Sequence, residues 1–333
     1  MKAFLVDKYQ KKAPLRLADV AEPTLGDGEV LVRISAAGVN LLDAKIRSGA
    51  FKPILPYKLP LILGHDMAGT VVKVGPKATR FKVGDEVFSR VDDFRIGTFA
   101  ESIAVKESAL AAKPKTLSME DAASVPLVAL TAWQALVQVA KLRAGQRVFI
   151  QAGSGGVGTI AIQLAKHIGA YVATTASAAN ADWLKALGAD LVIDYKTQDF
   201  ETVLRDYDVV LHSQDARELE KSLNVLRPGG RLVSISGPVT PAFAEAIKAP
   251  WFLKPLFWAL SRGTYSKARK RNVSFEFLFM TASGTQLQQI AALIDAGHIR
   301  PVIDHVYPFA ETNTAIAHVE SGRAKGKVVI KVR

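Results

Sequence analysis

The chain has 333 residues, 49% of them apolar, which is long and apolar enough for two domains with full cores. It contains no cysteine, so disulfides, thiolate catalysis and any cysteine-ligated zinc are excluded. The formal charge of +12 would suit nucleic acid, an anionic membrane surface or an anionic small ligand; apart from Lys267 to Arg271 the excess is scattered, and no nucleic-acid motif accompanies it, so nucleic-acid binding is not expected.

Met1 to Asp7 carries charge within its apolar run and reads as a strand, too short and too interrupted for a signal peptide. No run of about 18 apolar residues follows, so no spanning helix is expected and a soluble cytoplasmic protein is the default. Residues 1 to about 122 are β-rich. Glu29 to Ile34 and Ala68 to Val74 alternate or run apolar with β-branched residues, Val83 to Phe88 reads as a turn followed by a strand, and glycine or proline breaks separate such segments. Many short strands with few helical periods suggest a barrel-like antiparallel domain.

The pattern changes near Asp121. Ala122 to Val139 is helical, and then Val148 to Ile150 reads as a buried strand, followed by a glycine turn and apolar residues at helical spacing, Ile160, Leu164 and Ile168. The turn, Gly153-Ser154-Gly155-Gly156-Val157-Gly158, fits G-x-G-x-x-G through Gly153, Gly155 and Gly158. Between a strand and a helix such glycines allow a tight turn, close approach of a pyrophosphate and close helix packing, while the helix N-terminus offers free N–H groups to the anion. A glycine turn in isolation is equally well a structural turn. Here an alternation follows it: strands at Tyr171 to Thr175, Leu191 to Ile193, Asp208 to Leu211 and Arg231 to Ile235, helices at Ala181 to Leu187 and Glu218 to Leu226. That succession implies parallel pairing with right-handed crossovers, hence a doubly wound α/β domain that binds a nucleotide.

After Gly237 the alternation stops. Pro250 to Leu260 is aromatic and apolar, and Ser261 to Arg271 is basic. One reading is a helical excursion buried at a domain or subunit interface, with a solvated basic turn. The other is a lid, or a patch touching membrane or a hydrophobic substrate, spanning residues 250–271. Asn272 to Met280 then reads as a strand, Gly284 to Ala296 as a helix, and Pro301 to Val332 as strand, helix and closing strand, the last able to return to the first domain.

Taken end to end, the chain resembles the medium-chain dehydrogenase/reductase superfamily, and within it the zinc-free quinone oxidoreductases and NADPH-dependent alkenal reductases. The matching segments are Ala37-Gly-Val-Asn-Leu-Leu-Asp43, Gly64-His-Asp-Met-Ala-Gly69, Val83-Gly-Asp-Glu-Val87, Leu130-Thr-Ala-Trp133, Ala152 to Gly158, Leu187-Gly-Ala-Asp190, Val192-Ile-Asp-Tyr195 and Gly326-Lys-Val-Val329. The resemblance implies a GroES-like catalytic domain at 1–122, completed by about 298–333, and a Rossmann NADP-binding domain at 123–297 that carries the excursion at about 240–271. It implies a cleft between the two and, commonly, homodimers. The cofactor contacts it implies are Thr131, Gly153 to Gly158, Ser177, Asn180, Tyr195, Ser236, Gly237 and Lys327.

Departures from the family pattern narrow the chemistry. Zinc-dependent members place a cysteine ligand where this chain has Asn40 and a proton-relay hydroxyl where it has Leu42; His65 sits at their histidine ligand. One histidine without thiolate partners does not build an open catalytic zinc site, so metal catalysis is rejected and His65 reads as a hydrogen-bonded cleft histidine. After the second strand of the nucleotide domain an NAD site usually carries an acid for the ribose hydroxyls. Here Thr174 to Asn180 has none, so NADPH is expected. Of the serine, lysine and tyrosine that hold the 2′-phosphate in the resembled reductases, Ser177 and Tyr195 match, whereas Asn180 occupies the lysine position.

Without a metal, hydride transfer rests on placing the nicotinamide against an electron-poor carbon and excluding water. A quinone or enone delocalises the incoming charge, so a neutral donor suffices, and the amide of Asn40 can provide it. Tyr57, on the loop Pro53 to Pro60, is a second candidate for stacking or hydrogen bonding; Asp43 orients backbone; no general acid is evident. The expected function is NADPH-dependent hydride transfer to a quinone, with reduction of the C=C bond of α,β-unsaturated aldehydes or ketones as the alternative. A non-catalytic NADPH-binding sensor or structural protein, and a membrane-associated interaction protein, are the readings from other classes.

Overall fold

A computed structural model describes residues 1–247, 251 and 254–333. They form two compact units: Met1–Leu130 with Thr281–Arg333, and Thr131–Met280.

The first unit is organised by one long strand, Glu29–Val39. Its alternating Val30, Val32 and Ile34 pack with Met67, Val71, Val87, Ile103 and Val105 into a continuous apolar core. The strand pairs antiparallel with Asp66–Val74, Ser102–Lys106 and Lys327–Lys331, in a seven-stranded sheet. The closing strand therefore returns to the first unit, as its sequence suggested. Close packing explains the small residues Ala36-Ala37-Gly38: a Cβ at Gly38 would lie 2.4 Å from the carbonyl oxygen of Ala123 in the helix Met119–Ala123. Directly after this strand a short helix, Leu41–Arg47, starts at Asn40. It has no length or periodicity by which a sequence reading would find it.

In the second unit six strands run parallel, in the order Leu191–Asp194, Tyr171–Ala176, Arg147–Ile150, Tyr207–His212, Leu226–Ser234, Ser274–Phe277. Phe149, Ile193, Tyr207, Val210, Leu232 and Phe275 of the sheet bury against Leu219, Leu223 and Ala268 from the helices. The strand order reverses direction between Arg147–Ile150 and Tyr207–His212, the place where doubly wound sheets bind ligands.

Four features differ from the sequence reading. The helical stretch Ala122 to Val139 is broken: Pro126, lacking an N–H, restarts a helix at Pro126–Trp133, and a π-helical segment Gln134–Val139 follows. The first unit keeps the chain to Leu130, because Leu127 N donates to the buried carboxylate of Asp66 at 2.9 Å. The helix Gly284–Asp295, assigned from sequence to the nucleotide domain, belongs to the first unit: a Cβ on Gly284 would stand 2.1 Å from Leu110 O, and Thr116 donates to Asp295 at 3.0 Å. The basic residues expected in a solvated turn continue a helix, Lys254–Lys270, which ends only where Asn272 adopts φ of 53°. Pro250, Phe252 and Leu253 of the apolar run lie outside the described residues.

Gly64 precedes the site residues His65 and Asp66 with φ of +106°, and a Cβ there would sit 2.4 Å from Thr98 Oγ1 and 2.9 Å from Phe99 N. Gly64→Ala is accordingly expected to lower the unfolding free energy by about 3 kcal/mol or more, measured by urea denaturation.

Candidate active site and cofactor cradle

The first unit buries a polar cluster where three strands end. Strand pairing sets Gly38 opposite Asp66 and Val39 opposite Val328, so Asn40, His65, Asp66 and Lys327 converge just beyond the paired residues. Lys327 Nζ donates to Val39 O at 3.1 Å, Asn40 Oδ1 at 2.6 Å and Asp66 Oδ2 at 3.3 Å. Asp66 also receives Asn40 Nδ2 at 2.9 Å and Leu127 N at 2.9 Å, so both of its oxygens are satisfied. Beside it, Asp43 accepts Asn40 N at 2.8 Å through Oδ2 and meets His65 Nδ1 at 2.6 Å through Oδ1. Asp43, His65 and Asp66 are fully buried. Burial raises Asp66 above the usual carboxylate range, and the Lys327 ammonium and Asn40 amide pull against that shift.

Lys327, expected to touch the cofactor, turns its ammonium into the first unit, where it donates to Val39 O, Asn40 Oδ1 and Asp66 Oδ2. Asn40 is not an unengaged donor. One amide hydrogen is held by Asp66, and the other has only a long 3.5 Å contact with Gly38 O. That second hydrogen is the one an acceptor could take at little cost. His65 is hydrogen-bonded as expected, but only through Nδ1; Nε2 is buried without a hydrogen-bond partner among the described residues. Asp66 was not singled out in the sequence. The signal was available: a carboxylate opening a strand and followed directly by the buried, apolar Met67, Ala68 and Gly69.

Tyr57 stands apart from these contacts. Its hydroxyl donates to Asp93 O, its carbonyl accepts from Tyr9 OH at 2.9 Å, and its ring lies 6.1 Å from that of Phe94. Burial, then the charge of Asp93, raises the phenol above its ordinary value, so it is a protonated donor.

The second unit carries the glycine turn as the sequence placed it, between Arg147–Ile150 and the helix Gly156–Ile168. Its three motif glycines have different reasons. A Cβ at Gly153 would meet Thr174 Oγ1 at 2.2 Å, and one at Gly158 would meet Ala152 O at 2.4 Å, so both serve internal packing. At Gly155 the nearest atom to a Cβ is Ala152 O at 3.4 Å, an ordinary contact. No internal clash requires glycine there, and the open space at this helix N-cap is what a pyrophosphate would fill. Ser154, Gly156 and Val157 are partly exposed around it.

Ser177 and Tyr195 follow the paired strand ends Ala176 and Asp194, so the register brings them side by side, with Tyr195 61% exposed. Asn180 is buried, donating to Ser177 Oγ at 3.2 Å and accepting Trp183 Nε1 at 3.2 Å. Its amide therefore fixes Ser177 where the resembled reductases have a lysine. The exposed Lys196, next to Tyr195, is a cation at this edge that motif matching passed over. Ser236 and Gly237 follow the fifth strand; Ser236 donates to Gln214 O, and a Cβ at Gly237 would crowd Ser234 Oγ at 2.5 Å. Thr131 is buried in the helix Pro126–Trp133, at the start of this unit.

The fold and these two sites define a nicotinamide-dependent oxidoreductase built from a GroES-like unit and a dinucleotide-binding unit. A family model described as the alcohol dehydrogenase GroES-like domain matches residues 26–115, and one described as zinc-binding dehydrogenase matches residues 187–330. The chain is 36% identical to the mitochondrial NAD(P)H oxidoreductase RTN4IP1 of Homo sapiens, over 100% of this chain and 89% of that one. It is 34% identical to the chloroplastic NADPH-dependent alkenal/one oxidoreductase of Arabidopsis thaliana, over 99% and 79%. The solved quinone oxidoreductase of Coxiella burnetii superposes with a TM-score of 0.87 at 30% identity, over 100% and 99% of the two chains. This chain belongs to the medium-chain dehydrogenase/reductase superfamily, in its zinc-free group of quinone oxidoreductases and alkenal reductases.

Removing one partner of a buried ion pair strands the other, which costs about 3–5 kcal/mol. Lys327→Met is expected to lose that much in urea denaturation, and adding Asp66→Asn should recover part of it. In the second unit His212 is buried, with Nδ1 at 2.9 Å from Ser234 Oγ and Nε2 at 3.0 Å from Asp215 O. Burial lowers its pKa from 6.5 to about 4. A depressed histidine stabilises the fold above its unfolded value and loses that contribution as pH falls toward the folded one. Unfolding free energy should drop by about 3 kcal/mol across this interval, and His212→Gln should flatten the drop in denaturation at stepped pH.

Proposed function

We propose that the protein is an NADPH-dependent, metal-independent reductase of quinones. The observation that carries this reading is the Asn40–Asp66–Lys327 cluster: where a metal ligand would sit, a neutral amide is locked between a carboxylate and an ammonium. Such a site offers an acceptor a neutral hydrogen-bond donor. A simple aldehyde or ketone needs stronger polarisation than that, whereas a quinone spreads the arriving charge over its own ring. When bound, the nicotinamide supplies the hydride.

The chain's own residues fit that cofactor. Gly155 leaves room for a pyrophosphate at the N-terminus of a 13-residue helix, whose free N–H groups and dipole favour the anion. The edge formed by Ser177, Tyr195 and Lys196 presents two hydroxyls and an ammonium, groups that donate to a 2′-phosphate. No carboxylate follows the second strand before Asp182 to compete with it. On the acceptor side, Asp66 and Lys327 hold the Asn40 amide in one orientation, and its weakly engaged hydrogen is the donor that meets the substrate oxygen. Asp43 orients Asn40 through its backbone and His65 through its ring.

Reduction of the C=C bond of an enal or enone is the second reading, favoured by the alkenal/one oxidoreductase among the relatives. An enone delocalises charge onto its oxygen as a quinone does, and the same donor serves both.

Steady-state oxidation of NADPH and NADH with 1,2-naphthoquinone and with a 2-alkenal tests the assignment. Turnover of the quinone with NADPH preferred is expected; tight NADPH binding without turnover of either acceptor would sink it. Gly155→Val should weaken NADPH binding by about 100-fold, or about 2.7 kcal/mol, with thermal unfolding unchanged, as read by cofactor fluorescence titration.

A further inference from the structure

The helix Lys254–Lys270 is anchored by a buried seam and by Tyr265, whose ring meets that of Phe275 at 5.5 Å, and it leaves several large side chains exposed. Phe257, Ser261 and Ala268 are buried along one side, Phe257 stacks 6.1 Å from Phe243, and Ser261 Oγ bonds Phe257 O at 2.8 Å. What the helix displays is divided along its length. Its first half shows Leu256, Trp258 and Leu260, 51%, 54% and 54% exposed, and Trp251 just before it is 80% exposed. Its second half shows Arg262, Lys267, Arg269 and Lys270, continued by Arg271. From Trp251 to Arg271 the sequence contains no acid.

Nearby elements account for some of these cations. Lys254 pairs with Glu245, Lys267 with Glu220, Arg271 Nε with Asn224 Oδ1, and the Arg262 guanidinium lies 5.2 Å over the Trp258 ring. Arg269 and Lys270 have no acidic partner among the described residues. Large exposed apolar side chains followed along one helix by unpaired cations are complementary to one kind of surface, an acyl boundary under anionic headgroups. A second copy of this chain fits less well. Helices paired about a two-fold axis would set cations against cations or against Leu and Trp, with no acid on either to balance them. No helix among the described residues is long and apolar enough to cross a membrane, so the contact is interfacial.

We propose that this helix docks the protein on an anionic lipid bilayer, with Trp251, Leu256, Trp258 and Leu260 inserted at the headgroup boundary and Arg262 to Arg271 against the headgroups. The proposal does not depend on the substrate reading above. Sedimentation with phosphatidylcholine vesicles, with and without phosphatidylglycerol, tests it using the full chain. Binding only to the anionic vesicles, released by high salt and accompanied by a blue shift of tryptophan fluorescence, is expected. Trp258→Ser with Leu260→Ser should weaken that binding by about tenfold or more, and Arg269→Gln with Lys270→Gln should abolish the preference for anionic lipid. All these side chains are exposed, so thermal unfolding and NADPH oxidation with naphthoquinone should be unchanged. Failure to bind anionic vesicles overturns the proposal. So does a Trp258/Leu260 variant that still binds vesicles but, by light scattering, has lost a dimer present in the parent, which would assign this face to a second copy.

Discussion

The ammonium group of Lys327 holds the catalytic unit together at its centre. It reaches from the last strand to the end of the strand Glu29–Val39, to the amide that begins the next helix and to the carboxylate of Asp66. Burying one positive and one negative charge is unfavourable unless their remaining hydrogen-bonding capacity is met, and here it is met almost completely. Asp66 takes a third donor from Leu127, and Asn40 is bound at its nitrogen, its oxygen and its backbone. The consequence is chemical as well as structural. An amide so constrained has one weakly bonded hydrogen, in one orientation, which is the property a donor to a substrate oxygen needs.

The nucleotide unit solves a different problem with different means. Its glycine turn, its Ser177–Tyr195 edge and its Ser236–Gly237 turn all follow the carboxyl ends of strands in one parallel sheet, on both sides of the reversal in strand order. Two of the three motif glycines are required by the protein itself, because backbone or threonine atoms occupy the place of a side chain. Only Gly155 is left open by its neighbours, and only there does the absence of a side chain point to a ligand. The exchange of a lysine for Asn180 is likewise intelligible in local terms. Asn180 braces Ser177 and Trp183, while Lys196 carries positive charge to the same edge.

The helix Lys254–Lys270 lies outside both sites and follows another logic. Its buried seam does not account for two exposed tryptophans and two exposed leucines in and just before it, and the cations that follow have fewer acids nearby than they could use. Surface of that composition is a contact in search of a partner, and its charge decides which partner suits it.

Much of this was legible in the amino-acid order alone, wherever the determining interactions are local. The strand–glycine–helix unit, the alternation that makes the sheet parallel, and the lack of cysteine at the metal position are each written in contiguous residues or in composition. The tertiary structure decided the rest. Lys327 and Asn40 are 287 positions apart, and Lys327 and Asp66 are 261 apart, so nothing in the neighbourhood of either announces the pair. The same holds for the helix Gly284–Asp295, whose pattern shows a helix while its contact with Leu110 decides which unit owns it. Periodicity and turn chemistry specify an element from within; a buried charge is specified only by the acceptors that folding brings to it, and these the chain order does not contain.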